Sequence, residues 1–535
     1  MPVTPAASVT PAASATSAAS SPFPRTAGVL LHPTSLPSPH GIGDLGAGAR
    51  AFVDWLADGK VARWQVLPLV PPGPGGSPYS SPSAFAGNPL LIDLRALVSQ
   101  GLLDARDVDA PAFDLDRIDW AGVHPWKTER LQRATKKMAS LDTGRVRIET
   151  FRAENPWVAD HALFTAIKER FDGKPWRDWP AELGKRDPAA IAKVQAELEP
   201  RILQLIAEQA LFDEQWRALH AYARKKGVTI IGDIPIYVDL DSADVWTNRD
   251  QFLLDHTGAP KNVAGVPPDA FTEKGQLWGN PLYDWATLKR DGHAWWIKRM
   301  KRVLTLCDVV RIDHFRAFAA YWAVPYGDED ARGGTWIAGP GRAVFDDIEK
   351  ALGKLPIILE DLGVITPDVE ALRDGVGLPG MKVLQFAFGE GPDAKYLPHN
   401  HVPNCVVYTG THDNDTALGF WNTAPHHVKE HVRQYLGRDG NDFVWDLIRT
   451  CFASVAHTAI VPMQDVLALD SGARMNLPGS EAGNWNWRVR GEAFHANLSS
   501  RLRFLVELYG RAPHTTATNA TTTNAATNAA TPAAQ

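Results

Sequence analysis

Eight short apolar runs recur along the chain between segments of helical character, and this alternation limits the folds that are available. The runs cover residues 27–35, 63–70, 228–238, 307–315, 356–363, 381–388, 405–413 and 458–467. Continuous apolar runs that alternate with helices are typical of a parallel sheet whose two faces are both covered. Eight of them favour an α/β TIM (β/α)8 barrel, although a doubly wound sheet of eight strands would give the same pattern.

Polar side chains near the end of each run favour the barrel over the open sheet. His32, Asp233, Asp313, Glu360 and Asp413 are examples. The active site of a TIM barrel lies at the carboxyl ends of its strands, where such groups converge. We therefore predict a barrel with its functional site at the carboxyl ends of its strands.

The spacing of the runs is uneven, which predicts insertions into the barrel. About 160 residues separate the second run from the third, too many for one helix and two short loops. Most of this stretch is charge-rich and helical in pattern, so we place a mainly helical insertion at about 95–200. Residues 248–285 are rich in Gly, Pro, Asn and aromatic residues, and we predict an active-site loop there. The catalytic barrel as a whole is expected to cover residues 25–512.

The two ends of the chain have low-complexity composition. Residues 1–24 are rich in Ala, Ser, Thr and Pro, and residues 513–535 in Thr, Ala and Asn. Neither composition can bury a core, so both segments are predicted to be disordered tails. The first tail lacks the basic and apolar regions of a secretory signal.

Charge and cysteine content exclude several classes of function. The net charge of −6 gives no general attraction to nucleic acid or anionic membranes, and no apolar run is long enough to span a bilayer. Three widely spaced cysteines without a C-x-x-C pair fit a reducing cytoplasm. The chain has no zinc, calcium or P-loop motif. We expect no cofactor, no nucleic-acid partner and a cytoplasmic location.

Three carboxyl groups end the fourth, fifth and seventh runs. Asp313 follows Arg311 on the same strand face, which suits an ionised nucleophile but also a structural ion pair. Glu360 follows three aliphatic residues, which suits a general acid of raised pKa but also a helix cap. Asp413 lies in a polar cluster beside His412 that could equally be a turn.

Taken together, the three carboxyl groups favour glycosidic chemistry. Cleavage of a glycosidic bond needs one acid to protonate the leaving oxygen and a second carboxylate to trap the anomeric carbon. A third can hold sugar hydroxyls as charge develops. Aromatic residues such as Tyr79 and Trp278 could stack on sugar rings, although core packing is the commoner role of a tryptophan.

Several longer motifs resemble those of the amylomaltases, also called 4-alpha-glucanotransferases or disproportionating enzymes, which form glycoside hydrolase family 77 of the α-amylase clan. The resemblance extends from about Gly28 to Arg490. It is carried by GVLLHPTSLPSPHGIGDLG, WQVLPL, SPYSSPSAFAGNPLLIDL, GDIPIYV, GVPPDAFTEKGQLWGNPLYDW, VVRIDHFRAF, EDLG, YTGTHDNDT and ARMNLPGSEAGNWNWR.

The resemblance implies a retaining transfer of α-1,4-glucan segments, without metal or organic cofactor, on maltooligosaccharides and longer α-1,4-glucans. It implies that Asp313 is the nucleophile, Glu360 the acid/base and Asp413 the transition-state stabiliser. The substrate-binding residues implied in the same way are Tyr79, Asp241, Gln276, Trp278, Arg311, His314 and His412.

One segment departs from the family pattern. Where many members have Gly-Tyr-Gly-Asp before the SPY motif, this chain has Gly73-Pro74-Gly75-Gly76 and so lacks a ring that can dock a remote stretch of glucan. Two rival functions stay open at this point. One is an α-glucan hydrolase of the same clan, and the other is a catalytically silent glucan-binding protein.

Overall fold

Eight parallel strands form a barrel in the computed structural model, which describes residues 23–268, 272–480 and 482–513. The order of the strands around the barrel is the same as their order along the chain. The circle closes where the Leu359 amide donates to the Pro379 carbonyl at 2.9 Å. The barrel strands are β1 (Thr26–Leu30), β2 (Arg63–Gln65), β3 (Thr229–Ile234), β6 (Val309–Ile312), β9 (Ile357–Leu359), β10 (Gly380–Val383), β11 (Cys405–Tyr408) and β12 (Thr458–Pro462).

Each of the eight predicted runs overlaps one of these strands, so the TIM barrel prediction is confirmed. Six of the eight strands are buried at every residue, and the other two have one partly buried residue each, because helices cover the outside and side chains fill the inside. The close approach of β1 and β2 requires glycine at position 28, because a Cβ there would lie 2.8 Å from the Cβ of Arg63.

A second, antiparallel sheet of four strands stands beside the barrel in the order β5-β4-β7-β8. Its strands are β4 (Asn262–Val266), β5 (Gln276–Pro281), β7 (Ala320–Pro325) and β8 (Thr335–Ala338). The segment predicted as an active-site loop, 248–285, therefore supplies two strands of this sheet. Trp336 pairs with Trp322, Trp322 with Gly265 and Gly265 with Leu277, so these four residues share one face.

Helices surround the barrel and occupy most of the stretch between β2 and β3. The last helix of that stretch begins at an Asp187 cap, whose carboxylate accepts from the amides of Ala189 and Ala190, and it runs on to Lys225. Beyond residue 200 it packs on the barrel, where the Trp216 indole donates to the Leu306 carbonyl at 2.7 Å. The limits of the insertion at about 95–200 stay a prediction.

The α-helices of the described residues are α1 (Ala47–Asp58), α2 (Leu94–Ser99), α3 (Trp120–Ser140), α4 (Asp142–Glu154), α5 (Trp157–Arg170), α6 (Ala181–Gly184), α7 (Pro188–Lys225), α8 (Ala243–Thr247), α9 (Trp285–Arg290), α10 (Ala294–Leu304), α11 (Ala343–Leu352), α12 (Pro367–Val376), α13 (Ala417–Thr423), α14 (His426–Leu436), α15 (Phe443–Ala453), α16 (Met463–Val466) and α17 (Ala496–Leu508). Within this described part, no helix combines the length and the apolar character needed to cross a membrane.

The two ends of the described chain meet at the amino end of the barrel strands. Arg511 donates to the Thr26 carbonyl at 3.1 Å and to the Phe452 carbonyl at 2.6 Å. Arg25 donates to the Tyr509 carbonyl at 3.0 Å. These bonds join the first strand to the segment after α17. The predicted tails 1–24 and 513–535 lie outside the described residues, apart from Phe23, Pro24 and Pro513.

Candidate active site

Arg311, at the carboxyl end of β6, bridges two carboxylates. Its guanidinium donates to Oδ2 of Asp233 at 2.6 Å and to Oδ1 of Asp313 at 2.8 Å. The Arg311 side chain is almost completely buried, whereas about a quarter of the Asp313 side chain is exposed. Asp313 is therefore held by a fixed, buried cation and is still reachable from the cleft.

Tyr79 extends this network from the loop after β2. Its hydroxyl donates to Oδ2 of Asp233 at 2.6 Å. Its ring stacks on the His412 ring, with centroids 5.1 Å apart and planes 10° from parallel. The Trp485 ring packs against both, at 5.8 Å and 5.9 Å. Three aromatic rings thus form a fixed wall next to the charged network.

Glu360, just beyond β9, has no comparable cation at hydrogen-bond distance in the described residues and is held by backbone groups instead. The His314 amide donates to Oε2 at 2.8 Å, and the Leu362 amide donates to Oε1 at 2.7 Å. Burial in the cleft, and next the negative charge of Asp313, raise the pKa of Glu360 to about 8. These effects exceed the opposing influence of the backbone donors. Glu360 is therefore protonated at neutral pH and able to donate a proton.

His314 connects Glu360 to the second sheet. Its backbone is left-handed, with φ of 51°, which turns the chain directly after Asp313 and aims the His314 amide at Glu360. Its ring meets the Trp278 ring edge-on at 4.7 Å. Burial lowers the pKa of His314 to about 4, so the imidazole is neutral at pH 7.

Trp278 and Gln276 lie on β5 at the margin of the cleft. The Trp278 indole donates to Oε1 of Gln276 at 3.2 Å. About a third of the Trp278 side chain stays exposed. An exposed indole whose orientation is fixed is a suitable surface for a sugar ring.

Asp413 follows β11 and is held by a loop that follows β12. The Asn476 amide donates to Oδ1 of Asp413 at 2.6 Å, and Arg474 donates to its backbone carbonyl at 2.5 Å. Nε2 of His412 lies 3.2 Å from Oδ2. The carboxylate is thus fixed on one side, and about two fifths of the side chain remains exposed.

Asp241 differs from the other predicted substrate-binding residues in its contacts. Its carboxylate pairs with Lys168 of α5 and accepts from the Trp176 amide at 3.0 Å. These contacts hold the helical insertion against the loop after β3. The structure therefore links Asp241 to the insertion, whereas Tyr79, Arg311, Asp313, Glu360, His314 and Trp278 belong to one network of contacts that also includes Asp233.

Sequence reasoning missed three residues of the site. Asp233 was noted as a strand-end acid without an assigned role, and its alignment with Arg311 across β3 and β6 could have indicated the ion pair. Asn476 and Trp485 lie in the ARMNLPGSEAGNWNWR segment, more than 60 residues from the groups that they contact. No local pattern indicates that pairing.

A parallel barrel whose strand ends gather one cation-paired carboxylate and one protonated carboxyl group defines a class of nucleophilic and acid–base enzyme sites. The family model described as 4-alpha-glucanotransferase, glycoside hydrolase family 77, matches residues 31–494. The chain belongs to this 4-alpha-glucanotransferase family, as the motifs of the sequence indicated.

Relatives match over nearly the whole chain. A chloroplastic/amyloplastic 4-alpha-glucanotransferase of Arabidopsis thaliana is 48% identical over 496 residues, which cover 91% of this chain and 86% of that protein. A 4-alpha-glucanotransferase of Thermus thermophilus is 47% identical over 496 residues, 90% of this chain and 98% of that one.

A solved structure supports the same assignment. The amylomaltase of Streptococcus agalactiae in complex with acarbose superposes with a TM-score of 0.90 at 38% identity, covering 91% of this chain and 100% of that chain. Within residues 23–268, 272–480 and 482–513, no group of three or more His, Cys, Asp or Glu side chains is arranged to hold a metal ion.

Proposed function

We propose that this chain is a 4-alpha-glucanotransferase that moves α-1,4-glucan segments from a donor to the 4-hydroxyl of an acceptor glucan or of glucose. Family membership supports the reaction class, since relatives at 47% and 48% identity carry this name. The single observation that carries the mechanism is the contrast between Asp313, paired with Arg311, and Glu360, whose pKa is raised to about 8.

The first step transfers the donor glucan to the enzyme. Asp313 attacks the anomeric carbon, and Glu360 gives its proton to the departing glycosidic oxygen. We assign the attack to Oδ2 of Asp313, because Arg311 holds Oδ1. The bond from the anomeric carbon to the 4-oxygen breaks, an ester to Asp313 forms, and Glu360 is left ionised.

The second step returns the glucan to an acceptor. Ionised Glu360 removes the proton of the acceptor 4-hydroxyl, whose oxygen attacks the anomeric carbon and displaces Asp313. Two inversions give net retention, and both carboxyl groups regain their starting states. The backbone amides of His314 and Leu362 keep Glu360 in place through both steps.

The remaining site residues hold the sugar in this geometry. Asp413, fixed by Asn476, is proposed to bind hydroxyl groups of the reacting ring and to strengthen those bonds as positive charge develops. The substrate-binding assignments that we retain are Tyr79, Gln276, Trp278, Arg311, His314, His412 and, with the insertion contacts described above, Asp241.

Transfer requires that an acceptor sugar reach the intermediate before water does. The Trp278 ring meets the His314 ring edge-on at the cleft margin, and Trp278 is proposed to cover the site when sugars are bound. We propose maltooligosaccharides and longer α-1,4-glucans as donors and acceptors. This choice accords with the acarbose complex of the Streptococcus agalactiae amylomaltase.

Incubation of the purified protein with maltotriose tests the proposal. Chromatography should show glucose together with maltooligosaccharides longer than maltotriose, and both should be lost in Asp313→Asn. Glucose and maltose alone would mean that water is the acceptor and that the chain is a hydrolase. The absence of any turnover would favour a silent glucan-binding protein.

We also propose a cytoplasmic location. The chain has three cysteines, and Cys307, Cys405 and Cys451 are all buried free thiols, which is typical of proteins kept in a reducing compartment. Fractionation of cells that express the protein checks this proposal. Recovery from a secreted or organellar fraction would contradict it.

A further inference from the structure

Two partly exposed tryptophans contact the short segment that follows Asp313. His314 meets the Trp278 ring at 4.7 Å. Two residues later, the Arg316 guanidinium carbon lies 3.9 Å from the centroid of the Trp336 ring. Trp278 is 37% exposed and Trp336 is 42% exposed. Trp278 has a role in the proposed function, whereas Trp336 has none.

Trp336 is held in a fixed orientation. The Arg316 cation stacks on its ring, and the Trp322 ring meets it edge-on at 5.2 Å from the paired strand β7. Both contacts favour the observed orientation of the indole. A large apolar ring that is both fixed and exposed can bind a ligand without losing side-chain freedom.

Arg316 connects Trp336 to the loop that carries Glu360. Its guanidinium donates to the Val364 carbonyl at 2.7 Å and to the Thr366 hydroxyl at 3.4 Å. Val364 is itself 59% exposed and lies four residues after Glu360. The exposed faces of Trp336 and Val364 therefore border the same loop as the acid/base.

The position of the acid/base determines which half of a bound glucan lies nearby. Glu360 protonates the departing chain and later activates the acceptor, so the acceptor half lies on its side of the cleft. Trp336 is joined to that side through Arg316. An extended acceptor that begins at Glu360 would continue over this surface.

We propose that Trp336 is a stacking platform for a distal glucose ring of the acceptor α-1,4-glucan, and that it gives longer acceptors an advantage over free glucose. This inference rests on the proposed function. The apolar CH face of a glucose ring matches the flat indole, and the Arg316 stack keeps that indole in place. Trp336 is thus a specificity-determining residue for acceptor length.

Competing acceptors of different length provide the test. Maltotriose serves as donor, and the acceptor is either labelled glucose or maltopentaose labelled at its reducing end. Because the label stays at the reducing end, labelled products that are longer than the added sugar report acceptor use alone. For Trp336→Ala, the KM for maltopentaose divided by the KM for glucose should rise roughly three- to tenfold over the unchanged protein.

Two further variants separate a platform from a structural effect. Trp336→Phe keeps a ring and should recover part of the preference for maltopentaose. Phe504→Ala removes an exposed aromatic side chain of α17 and should leave the KM ratio as it was. A purely structural role would instead lower kcat for both acceptors together.

The outcomes distinguish the two proposals. If the unchanged protein lengthens neither labelled acceptor, the proposed transferase function fails. If it lengthens both, and Trp336→Ala leaves the KM ratio unchanged or lowers kcat equally for the two acceptors, the platform alone is refuted.

Discussion

Asp313 and Glu360 lie at the ends of neighbouring barrel strands, yet their surroundings are opposite. Asp313 is held by a buried guanidinium that also binds Asp233. Glu360 is held by two backbone amides and faces the negative charge of Asp313, and its pKa is raised to about 8. The comparison teaches that burial and a neighbouring negative charge can keep one carboxyl group protonated, while the carboxylate on the next strand is held by a fixed cation.

Replacement of Asp313 with Asn removes the nucleophile and should have the largest effect. We expect turnover of maltotriose to fall by roughly 10^4-fold or more, because the covalent step has no substitute. Chromatographic rates measure this loss, and an unchanged circular dichroism spectrum and thermal unfolding midpoint serve as the control for folding. Substantial residual transfer would mean that another group attacks the anomeric carbon.

Replacement of Glu360 with Gln should depend on the leaving group. With maltotriose we expect a loss of roughly 10^2- to 10^4-fold, the usual contribution of a general acid. With α-maltotriosyl fluoride, whose leaving group needs little protonation, release of fluoride in the first step should be much less affected. Asp313→Asn is the matched control, since it should fail with both donors. An equal loss with both donors would argue against Glu360 as the acid.

Asn476→Ala should slow catalysis because it removes a contact that holds the Asp413 carboxylate. Loss of the 2.6 Å bond to a charged oxygen should lower kcat by roughly ten- to a hundredfold. KM for maltotriose should change less, because the contact acts mainly as charge develops. Asn441→Ala, which alters an exposed turn, is the matched control. A rise in KM at constant kcat would show that Asn476 only helps to bind the ground state.

The pH dependence of activity tests the surroundings of Glu360, and its expected effect on the rate is the smallest of the four. Glu360 must be protonated for the first step, so kcat/KM for maltotriose should be lost as pH rises through about 8, approaching tenfold per pH unit above it. Initial rates between about pH 5 and pH 10 measure this fall in kcat/KM. If kcat/KM falls instead near the ordinary pKa of a glutamate, burial and Asp313 do not raise the pKa of Glu360 as described.

The sequence was sufficient for the barrel but not for the second sheet. Continuous apolar runs identify buried parallel strands without reference to their partners, and all eight were placed. The strand around Gln276 contains Gly and Pro, and both this strand and the one around Trp336 are partly exposed, so their pattern matches a loop equally well. Their pairing depends on residues 262–338 folding together.

Some residues of the candidate site could likewise be predicted from the sequence, and others could not. Strand ends indicated Arg311, Asp313, Glu360 and Asp413, because their position follows from the barrel alone. The contacts of Asn476 and the Arg316–Trp336 stack depend on how distant loops pack. Likewise, the raised pKa of Glu360 depends on its depth and on its nearness to Asp313, neither of which can be read from a linear motif.

The joined ends of the described part of the chain have a practical consequence for using this protein as a supported catalyst. Arg25 and Arg511 hold these two ends together at the amino end of the barrel strands, on the side of the molecule away from the carboxylates. A bead or an affinity handle attached near Arg25 or Arg511 would therefore leave the cleft facing outward. Long glucans could then reach an immobilised layer without obstruction by the support.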